Sequence, residues 1–262
     1  MTRQIDYVLM DPTGNVTILA ETPAEPADQP AIAARLMAAE PAAEQVGFLS
    51  AGPGGGTALR MAGGEFCGNA SMCAAVWRAM GLDADRARVE LRVSGAAGPV
   101  AVEVERLPGG DYRGRVSMPR PRAVEDVTFS GGGKYPAVFF DGIVHVILEE
   151  TPDRAAAEAA APQWCRQLGA DALGLMYLDR DRGTLTPLVY VPAAGTLCWE
   201  NSCASGSTAA AAWLARREGT PLSLSLRQPG GVLTAEVSPG GDVALTGTVK
   251  LVKKGSLAVD TD

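Results

Sequence analysis

Glu65-Phe66-Cys67-Gly68-Asn69-Ala70 and Ser202-Cys203-Ala204-Ser205-Gly206-Ser207 are the two stretches that decide how this chain reads. Each sets a cysteine ahead of small residues, then runs into an alanine-rich segment, Ala74-Ala75-Val76-Trp77-Arg78 in one and Ala209-Ala210-Ala211-Ala212-Trp213-Leu214 in the other. The alanines predict two helices that open at the cysteines. Strands follow each helix in matching order: residues 89–93 and 100–104 after the first, 222–226 and 232–237 after the second. Gly109-Gly110-Asp111 recurs as Gly240-Gly241-Asp242 at an offset of 131, and Gly114 and Val116 recur as Gly247 and Val249 at 133. An ordered series at so steady an offset reads as an internal duplication.

The fronts of the halves agree more loosely. Asp11-Pro12-Thr13-Gly14-Asn15 is a turn between strands at 7–10 and 16–20, and Asp141-Gly142 interrupts strands at 138–140 and 145–148. Each half then carries a helix. One covers about residues 29–39, and the other starts near Thr151-Pro152-Asp153, a good N-cap sequence. The expected fold class is α+β, with two pseudo-symmetric domains at 1–126 and 135–247. Ser130-Gly131-Gly132-Gly133, within 127–134, reads as the flexible linker. The last strand, in the segment 248–262, is expected to return to the first domain.

Composition narrows the partners. The chain has 262 residues, 47% hydrophobic and 20% charged, which excludes disordered, collagen-like and coiled-coil classes. A net charge of −7 with scattered Lys and Arg predicts no nucleic acid and no membrane surface as partner. No stretch approaches the roughly 20 apolar residues of a membrane span. The first residues lack the apolar core of a secretory signal, and five cysteines are an odd count for a disulfide framework. A soluble, cytoplasmic protein is expected, with a homodimer as the candidate assembly. Neither cysteine spacing is Cys-x-x-Cys and His145 is the single histidine, so no metal is expected. Cys73, Cys165 and Cys198 read as buried free thiols.

Two cysteines at two helix starts carry chemistry. Backbone amides at a helix N-terminus, with the positive end of its dipole, favour a thiolate over a thiol. The same amides hold carboxylates. Duplication would aim two such sites at one ligand from opposite sides. An amino acid clamped there would lose its α-hydrogen to one sulfur and regain one from the other, a stereoinversion needing no pyridoxal phosphate and no other cofactor.

The two cysteine stretches resemble the active-site motifs of the diaminopimelate epimerase family, Cys-Gly-Asn-Gly and Cys-Gly-Ser/Thr-Gly. The variant Gly63-Gly64-Glu65-Phe66-Cys67-Gly68-Asn69-Ala70 is more similar to the histidine racemases of opine-type metallophore pathways. The resemblance implies paired domains, each a curved, mostly antiparallel sheet around a central helix, with one catalytic cysteine apiece. It also implies that Asn15 contacts substrate. Two departures bear on specificity. Ala194-Gly195-Thr196-Leu197-Cys198-Trp199-Glu200 lacks the family's Arg, and Gly142-Ile143-Val144-His145 stands where the family has Gly-Asn-Pro-His. Burying the charged distal end of diaminopimelate without partners is costly, so another amino acid is the expected substrate.

The candidate catalytic residues are therefore Cys67 and Cys203. The amides of Gly68, Asn69, Ala204 and Ser205 are expected to cradle the α-carboxylate. Glu200 is a candidate for the ammonium group or a basic side chain, and Glu65 and His145 are further candidates. The competing functions are diaminopimelate epimerase, a proton-shifting isomerase of the phenazine-biosynthesis type, a silent amino-acid receptor, and a thiol-redox sensor.

Overall fold

A computed structural model describes residues 2–130 and 133–260. The elements run β1 (Thr2–Pro12), β2 (Thr17–Ala20), α1 (Gln29–Ala39), β3 (Gln45–Ala51), β4 (Thr57–Met61), α2 (Gly68–Gly81), β5 (Arg86–Val93), β6 (Val100–Arg106) and β7 (Tyr112–Met118). They continue with β8 (Ala123–Thr128), β9 (Lys134–Phe139), β10 (Val144–Leu148), α3 (Arg154–Leu168), β11 (Leu173–Asp179) and β12 (Thr184–Val191). Last come β13 (Thr196–Trp199), α4 (Ala204–Glu218), β14 (Leu222–Gln228), β15 (Gly231–Val237) and β16 (Val243–Asp260). The chain divides into two compact units, one ending at Ser117 and resuming at Thr246, the other spanning Met118–Leu245.

In the first unit β1 to β7 lie side by side in chain order, and β16 pairs with both β7 and β1, closing the sheet. Pairing alternates in sense: β1–β2 antiparallel, β2–β3 parallel, β3–β4 antiparallel, β4–β5 parallel, β5–β6 antiparallel. The parallel steps are the two places where a helix makes the crossover. The second unit repeats the scheme, with β9–β10 antiparallel, β10–β11 parallel, β11–β12 antiparallel, β12–β14 parallel and β14–β15 antiparallel. Its β13 is an added strand on β12 without a counterpart in the first unit.

Side-chain alternation sorts the strand residues between two helices. In the first unit Ile5, Tyr7, Leu9, Ile18, Val46 and Phe48 pack with Ile32 and Leu36 of α1. Val8, Met10 and Leu19, of opposite parity, are fully buried on the other face, where β1 and β2 meet α2. In the second unit Val144, Val146, Leu173 and Leu175 pack with Ala157, Ala161 and Cys165 of α3. Ile147, Met176 and Leu178 pack with Ala209, Ala210 and Trp213 of α4. An α-helix that packs against five strands has no wet face, which explains its alanines: Ala70, Ala74, Ala75 and Ala79 in α2 and Ala209, Ala210 and Ala211 in α4 are essentially inaccessible.

The sequence expectation differs from the structure at the boundary between units. The sequence of 127–134 reads as a linker, but the strands flanking it pair antiparallel, with Val127 of β8 opposite Tyr135 of β9 and Thr128 opposite Lys134. The division falls instead after Ser117. Glycine runs serve hairpin turns as readily as linkers, and only the pairing of the flanking strands tells them apart. Gly131 and Gly132 lie outside the described residues. The last strand does belong with the first unit, where Val249 stands opposite Pro12 and Val259 opposite Arg3.

Enlarging an alanine on an inner helix tests this packing. Ala75→Leu, at a site with no solvent exposure, is expected to cost about 1–3 kcal/mol in urea unfolding. A midpoint equal to the parent's would mean that the sheet leaves room around α2.

Candidate active site

Cys67 is the N-cap of α2, in extended backbone conformation (φ −132°, ψ 115°), and its Sγ accepts the Ala70 amide at 3.4 Å. The Ser71 hydroxyl donates to the Cys67 carbonyl at 2.7 Å. A polar network backs the sulfur. The thiol donates to Gln45 Oε1 at 3.2 Å, and Gln45 Nε2 donates to Asn15 Oδ1 at 2.6 Å and to Thr17 Oγ1 at 2.8 Å. Asn69 Nδ2 also donates to Asn15 Oδ1, at 3.1 Å, and Asn15 Nδ2 donates to Glu44 Oε2 at 2.6 Å. Asn15 is 6% exposed, so it holds Gln45, Asn69 and Glu44 together from within the fold.

Cys203 repeats the arrangement on α4. It is the N-cap (φ −115°, ψ 108°), its Sγ accepts the Gly206 amide at 3.4 Å, and Ser207 Oγ donates to its carbonyl at 2.8 Å. Gln228 Oε1 accepts the Cys203 amide at 2.8 Å while Gln228 Nε2 donates to Ser207 at 2.9 Å. Gly206 has no room for a side chain: a Cβ there would lie 2.1 Å from Met176 Sδ and 3.2 Å from the Cys203 sulfur. The groups behind the sulfur differ from those of the first unit. Ser205 Oγ is 3.6 Å from Sγ, and His145 Nε2 is 2.9 Å from Ser205 Oγ.

Electrostatics at Cys203 are set by burial before charge. Burial and then the negative charge of Glu200 push its thiol well above the ordinary range, against the opposing hydrogen bonds from Ser205 and Gly206. At Cys203 desolvation outweighs the pull of the helix N-terminus toward the thiolate. Cys73 and Cys165 are buried as expected. Cys198 is exposed, because the alternation of the added strand β13 turns Thr196 and Cys198 to solvent.

The remaining candidates fall out unevenly. Gly68 and Ala204 open their helices, and Asn69 and Ser205 are the next residues in each. Glu200 acts on Cys203. Glu65 is exposed and its carboxylate folds back over Gly63. His145 was a candidate lining residue, but it is wholly buried beneath Ser205, because its parity in β10 turns it inward with Ile147 toward α4. Sequence reasoning missed Gln45, Thr17, Glu44 and Gln228. Gln45 was accessible in principle, since Val46 and Phe48 face α1 and leave position 45 facing α2.

The fold is shared with solved racemases and epimerases. A predicted epimerase from Pseudomonas aeruginosa matches with a TM-score of 0.73 at 18% identity, over 98% of this chain and 100% of its own. A hydroxyproline epimerase from Agrobacterium vitis, solved with trans-4-hydroxy-L-proline, matches at 0.72 and 13% identity, over 99% and 94%. Residues 4–257 match the family described as "Histidine racemase CntK N-terminal domain", and the chain belongs to that family of isomerases. Among its relatives, histidine racemase of Staphylococcus aureus is 29% identical over 88% of both chains. Histidine racemase of Fusobacterium nucleatum is 27% identical over 97% of both. The finding supports the racemase side of the sequence resemblance and does not single out diaminopimelate epimerase.

Two outcomes follow from the charges. Glu200→Gln removes the anion that disfavours the thiolate, so Cys203 is expected to alkylate several-fold faster near about pH 8. An unchanged or slower rate, read by mass spectrometry with iodoacetamide, would contradict the assignment. His145 is pushed down from 6.5 to about 3 by burial alone. The unfolded chain therefore takes up a proton that the folded chain refuses. The stability tied to this group is complete above about pH 6.5 and is lost as pH falls toward 3. His145→Gln is expected to flatten the acid limb of stability against pH, and an unaltered slope in urea unfolding would refute it.

Proposed function

We propose that this protein is a pyridoxal-phosphate-independent amino-acid racemase, with histidine as its substrate and Cys67 and Cys203 as its acid/base pair. The observation that carries the reading is the duplicated cysteine cap. In each unit a sulfur sits over the first amides of a buried helix, tied by a serine four residues on. The substrate assignment rests on the relatives named histidine racemase. The departures from the diaminopimelate epimerase motif support it, since the stretch before Cys203 offers no arginine to a distal carboxylate.

In the forward direction one cysteine, as thiolate, takes the α-proton and leaves its bonding pair on the α-carbon. The other, as thiol, delivers a proton to the opposite face and becomes the thiolate. The reverse reaction exchanges their roles, and no net proton is gained or lost. The helix-opening amides of Gly68, Asn69, Ala204 and Ser205 suit a carboxylate that gathers charge as the α-proton leaves. Glu200 suits the substrate's cationic groups, and Asn15 orders the polar network behind Cys67. Free thiols and an acidic chain fit action in the cytoplasm.

Incubation with each L-amino acid in D₂O tests the proposal. L-Histidine is expected to acquire α-deuterium and to yield the D-enantiomer, and Cys67→Ser and Cys203→Ser are each expected to lower the rate at least about a hundredfold. Exchange that survives both substitutions would remove the cysteines from the mechanism. Turnover of diaminopimelate in preference to histidine would overturn the substrate.

A further inference from the structure

The imidazole of His145 has one partner and one bare nitrogen. Nε2 meets Ser205 Oγ at 2.9 Å, whereas Nδ1 is buried with no hydrogen-bond partner among the described residues. Phe140 packs against the ring edge-on with centroids 6.0 Å apart. Gly174, directly across the parallel β10–β11 pair, leaves the space that Nδ1 occupies, since a Cβ there would lie 2.1 Å from that nitrogen. These surroundings select a tautomer. Burial keeps the ring neutral, so it carries one N–H. A proton on Nδ1 would be a buried donor with nothing to receive it, a rarer and costlier arrangement than a bare acceptor. The proton therefore resides on Nε2 and is donated to Ser205 Oγ. With that lone pair engaged, the serine's own hydrogen is released toward its other neighbour, the Cys203 sulfur 3.6 Å away.

We propose that His145 is a positioning residue for Cys203: by donating to Ser205 it fixes the serine hydroxyl as a donor to the sulfur, stabilising the thiolate that forms when Cys203 gives up its proton. This rests on the reading of Cys203 as one of the acid/base pair. It accounts for a histidine inside an apolar strand. The parallel pair β2–β3 of the first unit is built differently, with Thr17 opposite Gln45. In the first unit the glutamine itself reaches the sulfur. In the second the contact passes through serine.

Two measurements test this. His145 is the single histidine, so a ¹⁵N-labelled protein without a histidine tag shows one imidazole. Long-range proton–nitrogen spectra at neutral pH are expected to show Nε2 protonated and Nδ1 bare, and a proton on Nδ1 overturns the proposal. The second measurement follows Cys203 thiolate by ultraviolet absorbance against pH, in a Cys67→Ser, Cys198→Ser background with Glu200 left in place. Ser205→Ala and His145→Leu are each expected to lower the thiolate fraction at a given pH roughly tenfold, while His145→Gln, which retains an N–H, restores most of it. A folded His145→Leu protein with the parent's titration curve also overturns it. If His145→Leu does not fold, the tautomer in the unsubstituted protein decides. Both readouts are independent of turnover, so an enzyme without histidine racemisation but with the expected tautomer and titration would fail only the functional reading.

Discussion

The first turn of an α-helix carries amide groups that no residue of the helix can satisfy, and in this protein two helices bring that turn into the interior of a sheet. A buried orphan donor is expensive, so something must accept from it. Polar oxygen caps are the usual answer. Here the cap is sulfur, at Cys67 and at Cys203. Sulfur is a weak acceptor and holds the amides loosely. The alanine content of the two helices, the glycine beside Cys203 and the serines that return to the capping residues all serve to keep that turn buried and ordered.

The two caps are alike in backbone and unlike in what stands behind them. Cys67 is backed by amides, Gln45, Asn15 and Asn69, with Glu44 beyond. Cys203 is backed by a hydroxyl, an imidazole and a carboxylate. Apart from the added β13, the two units keep the same order of elements and the same alternation of antiparallel and parallel pairs from β1 to β6 and from β9 to β15, while the inward-facing positions diverged.

Much of this was legible in the sequence. The helix at 29–39, the strands after each inner helix, the duplication and the two cysteines are local features, set by periodicity, alanine content and turn residues. What was not legible depends on neighbours distant in the chain. The hairpin at 127–134 is distinguished from a linker only by the pairing of Val127 with Tyr135. The burial of His145 follows from strand parity relative to α4, and the roles of Gln45 and Gln228 follow from which side chains share the interior with a sulfur. The upward push on the Cys203 thiol balances burial and Glu200 against two donors, a sum to which the helix start contributes one part.

The return of β16 to β1 has a consequence for how the protein is made. The barrel around α2 includes strand partners as far apart as Thr2 and Asp260, so it lacks a stave until β16 has been synthesised. The second unit is contiguous and can finish first. The earlier half leaves the ribosome with both of its sheet edges unpaired, and its long-range closure should be the slow, aggregation-exposed step of folding. Nascent-chain proteolysis would then find the later-made unit protected before the earlier one.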